Sequence, residues 1–480
     1  MACEQVTLQD VCELIVDCPH TSTKDEGVGY PLIRTPNVGR GRLILTDVHR
    51  VSQDVYERRV SRAVPRQGDL ILAREAPAGN VAIVPPGIEV CLGQRTMLLR
   101  PDSSFVVPEY LNYYLNAPEQ RDRMLRLANG ATVSHINVAD IRNMPVQLPS
   151  RGEQSKVAEL LNVLDDKIDL NNRLNDYLLE LISSVFAHRF SSNVNTTDLK
   201  NVLSISTKAL KPQEHASEIW EHYSIPAFDE KHRPIFEPAS EIKSNKYQID
   251  NECILISKLN PSTKRIWMPY CSSNNAVCST EFIVYRPYLK EYKSFYYAAI
   301  DSPGFTDYLL EHVSGSTGSR QRAQPKDTLH YLMPNPSNEE IKNFCTFADP
   351  IYRHVQINEQ QTAKLELLRD TLLPKLMSGE IDVSKVDLTQ LTNNHLAGRM
   401  HWSNVIRVRA IHAVHSQQSQ IPAYESVPKV SHSPCRTALT LGGIAPLLSW
   451  LAVSQFTAQS FAMLVVFCQV VLCGVSSELS

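Results

Sequence analysis

Nine positions between Val157 and Val185 limit what this chain can fold into. Val157, Leu161, Leu164, Ile168, Asn171, Asn175, Leu178, Ile182 and Val185 follow one another in alternating steps of four and three. A 3.5-residue apolar repeat keeps one stripe of a helix turned toward a partner helix, which is the seam of a coiled coil. Adding 187 to each number gives Phe344, Ala348, Ile351, Val355, Asn358, Thr362, Leu365, Arg369 and Leu372, a second stripe with the same spacing. Each stripe carries a polar pair at the same step, Asn171 and Asn175 in one, Asn358 and Thr362 in the other. A polar residue in such a seam costs stability and fixes which layer meets which. The matched pairs therefore favour two helices packed on each other over two unrelated amphipathic helices. Two positions break the pattern. Pro350 predicts a helix start or kink near Asp349, and Arg369 is a charged seam residue whose stem can snorkel near a helix end.

The repetition extends upstream of both helices. NGATVSHINVADIRNMPVQLP (129–149) and GSTGSRQRAQPKDTLHYLMPNP (315–336) share a small polar loop, a polar stretch and an apolar run closed by proline. GDLILAREA (68–76) lies beside NECILISKL (251–259), an offset of 183, and both suit a buried strand entered from a turn. Each block also carries an aromatic helical patch, 109–127 and 290–313, better suited to facing a core than to stacking bases. The chain thus divides into a β-rich block (1–150), a long helix (151–197), a second β-rich block (198–336), a second long helix (337–390) and a tail (391–480). A length of 480 residues, too great for one core, accommodates this division.

The sequence shows no catalytic equipment. It contains no GxxxxGK[ST] loop, HExxH, GxSxG or adenine-methyltransferase [DN]PP[YFW] motif, and GRGR at 39–42 is a turn without the rest of a dinucleotide fingerprint. Its eleven cysteines form no CxxC and its fifteen histidines no ligand pair, so a metal site is not expected. Scattered thiols and an N-terminus, MACEQVTLQDVCELI, that lacks a basic region before an apolar core point to a cytoplasmic protein. The net charge of −3 announces no nucleic acid, but a DNA reader needs only a local basic surface.

Cations do differ between the blocks. The first holds fifteen Arg and one Lys, the second eleven Lys and five Arg, against seventeen and sixteen acids. Arg can fork onto a guanine edge or a phosphate, whereas Lys is a point charge, so two such blocks would read different sequences. The candidates for DNA contact are Arg34, Arg40, Arg42, Arg74 and Arg95 in the first block. In the second they are Lys243, Lys246, Lys258, Lys264, Arg265, Arg320 and Arg322. The competing reading is a mixed, solvated surface.

GDLILAREAPAGNVAIV and LANGATVSHINVADIRNMPVQLPSRGEQSKVAELLNVLDDKI, with SNKYQIDNECILISKLNPSTKRIW and QQTAKLELLRDTLLPKLMSGEI, resemble the specificity subunit of type I restriction–modification systems over about residues 5–388. The resemblance implies an α+β fold with two target-recognition domains, separated by two long antiparallel coiled-coil helices, and an internal pseudo-twofold repeat. It implies a non-catalytic subunit that reads a bipartite DNA site, one domain per half. Two methyltransferase subunits would bring S-adenosylmethionine and methylate adenine. Restriction subunits with translocase and nuclease activity would bring ATP and magnesium. The alternative is a repeat-containing scaffold that binds protein partners without reading DNA.

Beyond Leu388 the chain departs from that family. Residues 401–436 lack periodicity, and the apolar runs at 439–453 and 461–475 fall short of the ~20 residues a spanning helix wants. A membrane role is not expected, and an out-of-frame or read-through extension is the most economical reading of the tail. Its removal is expected to raise solubility without changing the DNA bound.

Overall fold

The computed structural model describes residues 4–75, 78–128, 135–191, 195–314 and 321–383. The tail, the loop 129–134 and Arg320 lie outside the described residues.

The first lobe contains strands β1 (Glu4–Thr7), β2 (Cys12–Asp17), β3 (Gly41–Arg42), β4 (Leu70–Ala73), β5 (Val81–Ile83) and β6 (Thr96–Pro101). Gly68, at φ +86, makes the left-handed turn into β4. Every side chain of β4 is buried, which is why GDLILA reads as an unbroken apolar run and not as an alternating one. The main sheet has the order β2-β6-β4-β5-β3. Helix α1 (Pro108–Asn116) buries Tyr110, Tyr113 and Tyr114, as the core-facing reading of this aromatic patch expects. Strand β7 (Pro145–Leu148) pairs antiparallel with β1, Glu4 opposite Leu148, and leads into the long helix α2 (Arg151–Phe190). A capping box opens α2: Ser150 N–H donates to Glu153 Oε2 (3.0 Å), and Glu153 N–H donates to Ser150 Oγ (3.4 Å).

The second lobe follows with β8 (Thr196–Asp198), β9 (Leu203–Ser206), β10 (Ile254–Ser257), β11 (Ile266–Trp267), β12 (Phe282–Pro287), α3 (Lys293–Ile300) and β13 (Leu332–Pro334). Its four-stranded sheet has the order β9-β12-β10-β11, and β8 pairs antiparallel with β13. A further sheet orders 209–210, 246–248, 276–279, 219–223 and 235–238. A second capping box, Ser337 with Glu340, starts the long helix α4 (Asn338–Met377). Thus the chain is a mixed helix and sheet protein with two 40-residue helices.

Those helices run antiparallel against each other. Asp165 meets Arg369, Asn171 meets Gln361 and Thr362, Asn175 meets Asn358, and Phe186 meets Phe344, so partner numbers fall as helix numbers rise. Leu161, Leu164, Ile168, Asn171, Asn175, Leu178, Ile351, Val355, Asn358 and Thr362 are buried, while Leu365 is half-buried. At one end Val157, Ala158 and Leu161 of α2 join Leu373, Leu376 and Met377 of α4 in the first lobe's core. At the other, Phe186 and Phe190 pack on Phe295 of α3 and Phe344 of α4, with ring centroids 5.2–5.7 Å apart.

Several expectations need correction. The stripe on α2 continues from Ile182 to Phe186 and Phe190, not to Val185, because steps of four turn it toward α3 of the second lobe. Helix α4 runs through Pro350 without starting there: the proline is exposed, where the carbonyl it leaves unpaired can turn to water. Arg369 does not snorkel. It donates to Asp165 Oδ1 across the helix pair (2.8 Å), and the Tyr113 hydroxyl donates to Asp165 Oδ2 (2.7 Å). Helix α2 ends at Phe190, and β8 begins at Thr196. Helix α4 ends at Met377, with Gly379 at φ +74 supplying the left-handed residue that helix C-termini favour.

Candidate nucleic-acid interface

Most of the candidate cations are engaged within the protein. Arg42 forms ion pairs with Asp166 (2.6 Å) and Asp169 of α2, fastening β3 to the helix. Arg74 pairs with Asp17 (2.6 Å) and donates to the Ile136 carbonyl (2.9 Å). Lys264 pairs with Asp301 (2.6 Å), and Arg265 forks onto Asp229 (2.5 and 2.9 Å). Lys246 is 6% exposed and donates to Ser244, and burial pulls its pKa down, so it is a core residue of the five-stranded sheet. Among the described residues Arg40, Lys243 and Lys258 make no side-chain ion pair or hydrogen bond, and only the first two are exposed. Arg95 and Arg322 remain exposed while paired with a carboxylate, Arg95 with Glu75 (2.9 Å) and Arg322 with Glu281 (3.1 Å).

Strand direction gathers the first lobe's arginines at one edge. Strand β6 leaves its Pro101 end toward α2, where Val107 N–H donates to Gln154 Oε1 (2.8 Å). Its Thr96 end is therefore the far edge, ~17 Å away at 3.3 Å per residue. Antiparallel pairing sets Ala73 of β4 and Asp17 of β2 at the same edge. Arg74, Glu75, Gln94 and Arg95 continue from these strands. Arg62 donates to the Asp17 carbonyl (3.2 Å), and buried Arg59 donates to the Leu92 carbonyl (2.9 Å) and the Thr21 carbonyl. Burial lowers the Arg59 pKa. Arg34 leaves its buried Nε without a partner among the described residues. Its side chain packs on Gly93, where an added Cβ would come within 2.8 Å of Arg34 Cγ. Arg62, Arg74 and Arg95 thus gather around Asp17 and Glu75, and Arg95 takes the left-handed φ of +66 that side chains rarely adopt. An edge this rich in arginine, set away from the helices, suits a polyanion.

The second lobe presents Lys258, Asn260, Glu281 and Arg322 at its corresponding edge, where β10 ends and β12 begins. A polar cavity of about 440 Å³, lined by Ser206, Lys208, Asp250, Asn251 and Arg286 among others, lies apart from it, near the Pro287 end of β12. The carboxylates that orient the exposed arginines, Glu75 and Glu281, were missed by a search for cations; the strand register is the signal that locates them. No group of three His, Cys, Asp or Glu suited to a metal occurs among the described residues. No helix among them is long and apolar enough to cross a membrane.

Two sheet-bearing lobes joined by two long antiparallel helices are the frame on which these cations sit. Residues 2–180 match the type I restriction modification DNA specificity domain. The chain is 21% identical over 372 residues to the type I restriction enzyme MjaIX specificity subunit of Methanocaldococcus jannaschii, covering 71% of this chain and 84% of that one. It is 23% identical over 409 residues to the StySPI specificity subunit of Salmonella potsdam, covering 75% and 86%. The crystal structure of the type I restriction–modification S subunit from M. genitalium shares the fold at a TM-score of 0.50 and 16% identity, over 78% of this chain and 96% of that one. The chain is thus similar to type I restriction–modification specificity subunits, through its first 180 residues to the family's domain and at 21–23% identity to two subunits over most of their length.

Proposed function

We propose that this chain is the DNA-reading subunit of a type I restriction–modification complex and performs no catalysis itself. Each lobe reads one half of a split site, and the helix pair is the spacer between them. The observation that carries this reading is the correspondence of the two halves. The orders β2-β6-β4-β5 and β9-β12-β10-β11 match strand for strand, and Leu70 opposite Leu99 corresponds to Ile254 opposite Tyr285. The helices begin at the same capping box 187 residues apart, Ser150 and Ser337. In the middle of the pair Asn171 meets Thr362 and Asn175 meets Asn358, the crossing expected of a pseudo-twofold axis and of a coiled-coil seam. From Leu161 to Phe186, where the lobes attach, a helix rises ~38 Å, close to the ~34–36 Å of one DNA turn.

Methyltransferase subunits, one per half, supply S-adenosylmethionine and act on an adenine flipped from the duplex. Restriction subunits supply ATP- and magnesium-dependent translocation and cleavage, and the complex works in the cytoplasm. Exposed Leu170 and Leu179 on α2, with Ile357, Leu367 and Leu368 on α4, offer such partners apolar surface. The test is a methylome. Co-expression with its methyltransferase subunit in a methylation-free host should yield N6-methyladenine in one split motif. A soluble complex that leaves no motif would refute the reading.

A further inference from the structure

The two halves agree at their far edges down to single backbone hydrogen bonds. In the first lobe Arg74 N–H donates to the Arg95 carbonyl (2.8 Å), and Ile136 N–H donates to the Arg74 carbonyl (3.1 Å). In the second, Lys258 N–H donates to the Glu281 carbonyl (2.9 Å), and Ala323 N–H donates to the Lys258 carbonyl (2.9 Å). Isolated bridges join Glu75 to His135 and Leu259 to Arg322. Arg95 immediately precedes β6 and Glu281 immediately precedes β12, while Glu75 and Leu259 stand two residues past β4 and β10. Position by position, then, Arg95 corresponds to Glu281, Glu75 to Leu259 and His135 to Arg322.

Each corner holds an exposed ion pair, but the members come from different places. In the first lobe the arginine precedes the central strand and its carboxylate follows β4. In the second the carboxylate precedes the central strand and the arginine stands on the bridging segment. Both carboxylates lie against Nε (2.9 and 3.1 Å), which restricts where each guanidinium can turn. Arg95 is 53% exposed and Arg322 47% exposed, so their tips reach solvent. Exposed pairs of this kind contribute little to folding, and the left-handed Arg95 is a strained position in addition.

We propose that these corners are the matched specificity elements of the two lobes, with Arg95 and Arg322 each reading a guanine edge in the major groove and Glu75 and Glu281 acting as positioning residues. The proposal rests on the DNA-reading function given above. A carboxylate against the guanidinium weakens attraction to a phosphate, whose charge it opposes. It costs far less against the neutral O6 and N7 acceptors of guanine, which require an oriented fork. Because the arginine is mounted on a different segment in each lobe, the two half-sites place their guanine differently relative to the methylated adenine.

The experiment is the methylome of Arg95→Lys, Arg95→Ala, Arg322→Lys, Arg322→Ala, Glu75→Gln and Glu281→Gln in the complete complex. Size-exclusion chromatography of each complex and its thermal midpoint serve as folding controls. Lysine keeps the charge and loses the fork. Arg95→Lys should cost about 10- to 100-fold in discrimination at one base of the first half-motif and leave the second half intact. Arg322→Lys should do the converse, and each Glu→Gln should relax the same base more weakly. Motifs unchanged in all variants, or methylation lowered evenly at every site with the motif retained, would overturn the proposal. A wild-type complex without a split motif would instead overturn the underlying function.

Discussion

The polar layer at Asn175 and Asn358 makes a quantitative prediction about the helix pair. Both amides are buried, at 7% and 5% exposure, and Asn358 Nδ2 donates to Asn175 Oδ1 at 2.8 Å. Asn175 Nδ2 reaches only the Val355 carbonyl, at 3.4 Å. Replacing Asn358 by alanine removes the donor to Asn175 Oδ1 and opens a small cavity. An unsatisfied buried amide costs about 1–3 kcal/mol, and lost packing adds to it. Asn175→Ala orphans the Asn358 amide at similar expense. The double variant leaves neither group unsatisfied, so its loss should fall short of the sum by about 1–3 kcal/mol. Native-state hydrogen exchange of the α2 amides around Asn175 measures the opening free energy of this layer and avoids assuming one unfolding transition for a two-lobed chain. Losses that simply add would refute the reasoning, because the two amides would then not depend on each other.

Three further outcomes are expected. Arg42→Ala removes the partner of Asp166 and Asp169, and should destabilise the first lobe's seat on α2 by about 1 kcal/mol, less at high salt because Arg42 is partly solvated; urea midpoints at two ionic strengths decide it. Pro350→Ala restores a helix donor on an exposed face of α4 and should raise the unfolding free energy from denaturant titration by about 1–2 kcal/mol, less than the full propensity difference since proline also restrains the unfolded chain. Glu359 is half-buried on α4, and burial pushes its pKa up to about 7, against a partial opposing effect of Arg233. The folded state therefore holds this proton more tightly than the unfolded one, so stability falls as pH rises from about 4.5 to about 7 and is level above, by at most about 3 kcal/mol. Glu359→Gln should remove that slope in pH-dependent melts, and an unchanged slope would sink the assignment.

Patterns tied to a fixed geometric period were the legible ones. Fourteen of the eighteen stripe positions are buried, because burial between helices leaves little tolerance at those steps. The unbroken LILA run disclosed a strand buried on both faces. The offset of 183 for β4 and β10 was one residue short, since pairing with β6 and β12 aligns Leu70 with Ile254, 184 apart. Apolar runs of similar residues slide freely on each other, and only the ladder's hydrogen bonds settle them. The cations were the least legible. Nothing in composition separates Arg42, spent on α2, from Arg95, exposed at the far edge; the difference lies in which carboxylate the fold brings near.

Why should the chain keep polar residues in the middle of its helix pair at all? Leucine at Asn171, Asn175, Asn358 and Thr362 would bury more apolar surface and hold the helices more tightly. It would also make neighbouring registers nearly equivalent, because one heptad step would set leucine against leucine again. A slip of seven residues moves one helix ~10 Å along the other. The lobes are anchored at opposite ends, by Leu161 and Leu376 in one core and by Phe190 and Phe344 against Phe295 in the other. Under the proposed function, sliding therefore changes the separation of the two lobes' far edges by about three base pairs at 3.4 Å each. For a spacer between two readers that error abolishes simultaneous contact with both half-sites, a loss far larger than the few kcal/mol that apolar layers would add. The Asn175–Asn358 bond resists the slip because displacement leaves two buried amides unpaired, so the cost in stability is the source of the fixed length.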